Sequence, residues 1–243
     1  MTAVKRRMNN MAYTNSPLVS YTKLSPNHSG QRTHSIDRIT PHCVVGQCSV
    51  ETLGNIFLPT SRQASSNYGI GVDGRVGMYV EEKNRSWCSS SAANDQRAVT
   101  IECASDTTDP YAFKDIVYQT LIKLCVDICK RNGKTKLLWL GDKTKTLNYN
   151  PKSDEMVLTV HRWFANKSCP GNWMYARMGD LAEKVTAQLG GEVKPTQPTQ
   201  PATGTVKMGD LVTITGSTYY NGKAIPGWVK KLRWYVVEVS GDR

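Results

Sequence analysis

Apolar residues recur every three or four positions through DPYAFKDIVYQTLIKLCVDICKRNG, where Phe113, Val117, Leu121, Leu124 and Ile128 fall on one stripe. That spacing predicts a long amphipathic helix, with Asp109 as its N-cap, Pro110 in its first turn and Gly133 at its end. Cys125 and Cys129, one turn apart on it, read as core residues. NYGIGVDGRVGMYV predicts a β-hairpin around Asp73 and Gly74, the dipeptide favoured in a two-residue type I′ turn. Gly69, Gly71 and Gly77 share one face of that hairpin, either for close approach of a substrate or for packing of a helix. From residue 210 onward, DLVTITGSTYYNGKAIPGWVKKLRWYVVEVSG alternates apolar and polar positions between turn signals without a helical period, the pattern of a small β barrel or part of one.

Three shorter segments share another pattern. ITPH (39–42), VTIE (99–102) and LTVH (158–161) each run apolar residue, threonine, any residue, then a side chain that can bind a metal or move a proton. Residues two apart on a strand share a face, so Thr40 with His42, Thr100 with Glu102, and Thr159 with His161 mark polar faces. Ile39, Val99, Ile101, Cys103, Leu158 and Val160 lie opposite and suit burial against helices. If the three strands are neighbours, His42, Glu102 and His161 converge at one end of one face. Cys169 follows His161 by eight residues. Two imidazoles and a thiolate make a three-ligand set with a fourth position open to water, the arrangement of a catalytic zinc ion, and Glu102 is the base beside it. Lys167, two residues from the thiol, offers an ammonium to an oxyanion. The competing readings are a structural histidine at a strand end, a rival cluster of His42 with Cys43 and Cys48, and a surface role for Lys167. His28 and His34 sit in a turn-rich polar stretch and read as solvated.

Composition then narrows the setting. Thirty-one basic against 20 acidic residues give a net charge of +11, which calls for an anionic partner. Nucleic acid is disfavoured, because no clustered basic helix accompanies the charge. No run reaches the roughly 18 apolar residues of a membrane helix, and the N-terminal MTAVKRRMNNMAYTNSP lacks an apolar secretory region. Seven cysteines, odd in number and irregularly spaced, argue for reduced thiols. The Pro/Thr/Gln-rich stretch from Gly190 reads as a linker. It divides the chain into a disordered or tag-like lead (1–12), a catalytic domain (13–190), the linker (191–205) and a partial β domain (206–243), a barrel expected to be truncated or completed by contacts elsewhere.

The residues HRWFANKSCPG with TPHCVVGQ and VTIECAS resemble the zinc-dependent N-acetylmuramoyl-L-alanine amidases shared by phage endolysins and peptidoglycan recognition proteins. The resemblance implies an α/β fold, a mixed central sheet flanked by helices, with Zn2+ held by His42, His161 and Cys169 in an open groove. It implies hydrolysis of the amide between N-acetylmuramic acid and L-alanine, with Glu102 as base, Lys167 at the oxyanion and Tyr68 as an auxiliary catalytic or substrate-positioning residue. Trp87, Trp163 and Asn67 would meet the substrate, bacterial peptidoglycan. The tail resembles a Src-homology-3-like wall-binding barrel, whose Tyr219, Tyr220, Trp228 and Trp234 would stack on sugars while its lysines face anionic wall polymers. A phage or prophage enzyme of this kind is made in the host cytoplasm and reaches the wall after release. The alternative is a recognition module that binds peptidoglycan without cutting it; such relatives commonly replace the zinc-binding cysteine, which this chain keeps.

Overall fold

The computed structural model describes residues 13–190, 211–218, 223–227 and 233–236. The lead over 1–12, the linker, Tyr219, Tyr220 and Trp228 lie outside the described residues. The chain runs β1 (Val19–Thr22), β2 (His28–Gln31), β3 (Arg38–Cys43), α1 (Val50–Phe57), β4 (Tyr68–Ile70), β5 (Val76–Met78), β6 (Asn84–Ser86), α2 (Ala92–Asp95) and β7 (Ala98–Cys103). It continues with α3 (Asp115–Arg131), β8 (Lys136–Leu138), α4 (Lys143–Asn148), β9 (Glu155–Leu158), α5 (Asn172–Tyr175), α6 (Met178–Gln188), β10 (Leu211–Thr213) and β11 (Arg233–Tyr235).

Seven strands form one mixed sheet in the order β1-β5-β4-β7-β3-β9-β8, parallel throughout except between β4 and β5. The three strands that carry the Thr-x-His/Glu pattern are adjacent at its centre. The β3–β7 register pairs Thr40 with Thr100 and His42 with Glu102. Parallel partners in register project to the same side, so one face of the sheet is apolar and the other polar. On the apolar face Ile39, Val99, Ile101, Cys103 and Leu158 join Val117, Leu121, Leu124, Ile128, Leu181 and Val185 of α3 and α6 in one core. Each such side chain, fully buried, contributes about 1.5–3 kcal/mol. Cys125 and Cys129 belong to this core, as the helical spacing predicts.

Two boundaries differ from the sequence reading. The helix begins at Asp115, with Lys114 in the N-cap position and no side-chain cap, rather than at Pro110. Tyr111 has φ 57°, a left-handed conformation that an α-helix does not admit, so this stretch forms a turn ahead of the helix. The turn is tied down by Trp173 N donating to Pro110 O and by Asn172 donating to Asp109. The hairpin turn is also not of type I′. Gly74 has φ 81°, whereas Asp73 is absent from the positive-φ residues. The hydrogen bonds Gly74 N to Gly71 O and Gly71 N to Arg75 O enclose a three-residue loop ending in a left-handed glycine. The hairpin glycines serve packing rather than substrate approach. A Cβ on Gly77 would lie 2.4 Å from the Tyr79 hydroxyl, and one on Gly69 would lie 2.8 Å from Leu53 of α1.

β10 and β11 pair antiparallel, and Thr218 bridges Ala224, so the described C-terminal residues are extended, as the alternation predicts. Trp234 on β11 is half-buried. No helix among the described residues is long and apolar enough to cross a membrane.

Candidate metal centre and active site

The polar face of the sheet is organised around its threonines. Thr40 and Thr159 share a hydrogen bond at 2.7 Å, and Asn94 of α2 bonds to both, its amide donating to Thr40 and its oxygen accepting from Thr159. Thr100 is held in the same way by Asn67 and Ser86. Each of these hydroxyls is buried and partnered, so the layer fixes strand positions without leaving polar atoms unpaired. One step further along β3 and β7 lie His42 and Glu102. β9 ends at Leu158, and His161 sits beyond it on a single 3-10 turn (His161–Trp163) rather than on the strand. The chain then loops through Lys167 to Cys169. Arg162 N donates to Cys169 O at 3.1 Å and fixes the return.

This brings the expected ligands together. One ligand atom from each of His42, His161 and Cys169 lies within 4.8 Å of the other two. Cys169 Sγ is 3.2 Å from His42 Nδ1, and the imidazole centroids are 5.1 Å apart. His42 is wholly buried, yet its Nε2 has no hydrogen-bond partner. Burial holds the His42 imidazolium well below its usual range, with His161 adding to the effect, and burial also lowers His161, with Lys167 adding. Burial pushes the Cys169 thiol up, and the nearby Cys43 and Glu102 push in the same direction. Two neutral imidazoles and a thiol that ionises when a dication displaces its proton fit zinc. The rival pairing of Cys43 and Cys48 with His42 does not form; Cys43 lies in the apolar core.

Glu102 Oε1 stands 3.9 Å from His42 Nδ1. Burial pushes its carboxyl up to about 7, against a hydrogen bond from Cys88 and the charge of Arg62, although 16% of the side chain still reaches the cleft. Its Oε2 is unpaired. The cleft itself has a volume of about 570 Å³, and Arg62, Arg85, Trp87, Cys88, Ser90, Glu102, His161 and Lys167 line it. Lys167 is exposed at its edge, and Trp87 is half-buried with its indole N–H donating to Ser29 at 2.6 Å.

Three expected site residues are elsewhere. Tyr68 is paired with Ile101, so it projects to the face opposite Glu102, where it is fully buried. Its hydroxyl donates to Glu82 at 2.6 Å and accepts from Ser16 N, and Glu82 in turn pairs with Arg131. Asn67 is on the polar side but wholly buried, accepting from Arg32 and Thr100 beneath the cleft. Trp163 is 8% exposed and stacks on Trp139 in the core, 5.1 Å between centroids. None of the three can touch a substrate. Residues that the sequence reading did not single out take the cleft instead: Arg62, Arg85, Cys88 and Ser90, whose hydroxyl lies 2.9 Å from His161 Nε2. Cys88 and Ser90 sit on an irregular loop, Arg62 on a single 3-10 turn and Arg85 on the three-residue β6, segments too short to carry a periodic signal.

A family model described as N-acetylmuramoyl-L-alanine amidase matches residues 29–172, more than half of the chain. None of the curated proteins matches the sequence. Among solved structures, the chain is similar to PlyL (14% identity, covering 68% of this chain and 95% of that one, TM-score 0.45). It is also similar to a selenomethionine derivative of AmpD (18%, 67% and 93%, TM-score 0.47). A third likeness is to the Staphylococcus aureus hydrolase AmiA in complex with its ligand (12%, 72% and 82%, TM-score 0.44).

Proposed function

We propose, from the premise that this chain belongs to the N-acetylmuramoyl-L-alanine amidase family, that it cleaves the amide between N-acetylmuramic acid and L-alanine of peptidoglycan in a zinc-dependent reaction. One observation carries the reading: His42, His161 and Cys169 present three ligand atoms within 4.8 Å of one another, and His161 lines a cleft that Glu102 also lines. Those three residues would hold the zinc. When bound, it supplies a Lewis acid that acidifies water and polarises a carbonyl. Glu102, with a carboxyl that titrates near neutrality, takes the proton of the attacking water and returns it to the departing amine. Lys167, exposed at the edge of the cleft, reaches in to hold negative charge developing on the amide oxygen. Trp87 supplies a flat apolar surface beside the glycan or stem peptide.

The β residues after 206 would act as a Src-homology-3-like wall-binding domain, with Tyr219, Tyr220, Trp228 and Trp234 on sugars and the excess positive charge on anionic wall polymers. The enzyme would be phage- or prophage-derived and act on the wall after release from the host cytoplasm.

Product analysis on purified cell walls tests the reading. The parent protein is expected to release new amino termini on alanine, and Cys169→Ser to release almost none. Reducing sugar ends would indicate a glycosidase, and wall binding without any product a recognition module; either overturns the proposal.

A further inference from the structure

A second thiol stands at the site. Cys88, on the loop between β6 and α2, points its sulfur at the carboxylate of Glu102, 3.8 Å from Oε1. With His42 the two residues form a separate set whose ligand atoms all lie within 4.8 Å of one another. The loop that carries Cys88 is pinned on both sides. The buried Asp95 carboxylate accepts from the backbone N–H groups of Cys88 and Ser89 at 3.0 and 3.1 Å, and Trp87 exchanges hydrogen bonds with Ser65. Glu102 Oε2 and His42 Nε2 are buried polar atoms without partners. Cys88 and Glu102 both line the cleft, so a small ion has a route to them.

We propose that His42, Cys88 and Glu102 form a second, inhibitory cation site, selective for thiophilic dications such as zinc or cadmium. The inference rests on the zinc reading above, because the two sets share His42. Imidazole, thiolate and carboxylate together suit a borderline-soft d10 ion better than calcium or magnesium. Binding is balanced by one proton: the Cys88 thiol releases it to solvent as the sulfur takes the cation. A second ion taken up on Cys88 and Glu102 while the first stays on His161 and Cys169 draws the shared imidazole away from the first ion and the carboxylate away from its proton-transfer role. Activity should therefore rise with the first equivalent of zinc and fall with excess.

The test is a titration of Cd2+ alone into the chelator-treated full chain, followed by the ultraviolet thiolate-to-cadmium charge-transfer band, a readout independent of wall hydrolysis. In Cys169→Ser a one-thiolate band is expected. It should vanish in Cys169→Ser/Cys88→Ser, with Cys88→Ala as a second version of the same change, and its midpoint should move at least tenfold higher in Cys169→Ser/Glu102→Gln. A band that is missing in Cys169→Ser, or that survives removal of Cys88, overturns the site. With wall as substrate, inhibition by excess zinc should need at least tenfold more zinc in Cys88→Ser than in the parent; equal inhibition overturns its inhibitory role. A parent inactive on walls at every zinc level refutes the amidase reading and leaves the cadmium result to decide this one.

Discussion

Glu102 and Cys169 divide the chemistry in a way that single substitutions can separate. Cys169→Ser removes a ligand of the catalytic set and should lower turnover, and Cys88→Ser/Cys169→Ser should lower zinc content as well. Glu102→Gln keeps the ligands, so it should retain zinc, measured by metal analysis, while turnover falls by about 100- to 10,000-fold. The Glu102 carboxyl also makes a stability prediction for the chelator-treated protein. Its folded value of about 7 lies above its ordinary 4.5, so between those two pH values the folded state holds a proton that the unfolded chain has released. Stability must then fall as pH rises through that window, by about 3 kcal/mol in the parent relative to Glu102→Gln. Denaturant unfolding of both proteins at pH 4.5, 6 and 7.5 measures the difference, and subtracting the variant cancels the opposing contribution of the two histidines. That His42, Glu102, His161 and Cys169 come together was legible in the sequence, because strand alternation and a short interval to the thiol both carry position. The sequence reading misplaced Tyr68, Asn67 and Trp163, because which face of β4 or which side of a turn a residue occupies depends on neighbours distant in the chain. Tyr68 faces Ile101, not Glu102.

At the scale of elements, the site depends on a polar layer that holds three strands in register. Asn94 of α2 is the joint of that layer, bonded to Thr40 on β3 and to Thr159 just past β9. Asn94→Ala leaves buried hydroxyls under-partnered and should cost about 1–3 kcal/mol, read as a lower midpoint of thermal unfolding. Gly77→Ala on β5 places a methyl against the Tyr79 hydroxyl, which is itself bonded to Val50 O, and should destabilise by about 1–3 kcal/mol with the cleft chemistry intact. The pattern that revealed the strands was the repeated Thr-x-His/Glu, and the structure gives those threonines a concrete task as the pins between strands. The helix start was missed for a local reason. Asp-Pro has the composition of a helix N-terminus, and only the contacts of Tyr111 and Trp173 with the turn show that the chain bends there first.

On the whole-molecule scale, the central sheet separates an apolar face, filled by α3 and α6, from a polar face that carries the cleft, and the amidase family match falls within residues 13–190. The catalytic part should therefore work alone: a chain of residues 13–190 is expected to cleave solubilised muropeptides at a rate close to that of the full chain, while its binding to intact walls weakens and loses part of its salt dependence. Equal wall binding by both would remove the reason for assigning residues after 206 to the wall. The central claim concerns one ion and three named atoms. X-ray absorption fine structure at the zinc edge, on protein loaded with one equivalent, tests it most directly. The account predicts one sulfur at about 2.3 Å and two imidazole nitrogens at about 2.0–2.1 Å in the parent and in Cys88→Ser alike, the sulfur being lost in Cys88→Ser/Cys169→Ser. A shell of nitrogen and oxygen alone in Cys88→Ser, or one whose sulfur survives the double substitution, would contradict it.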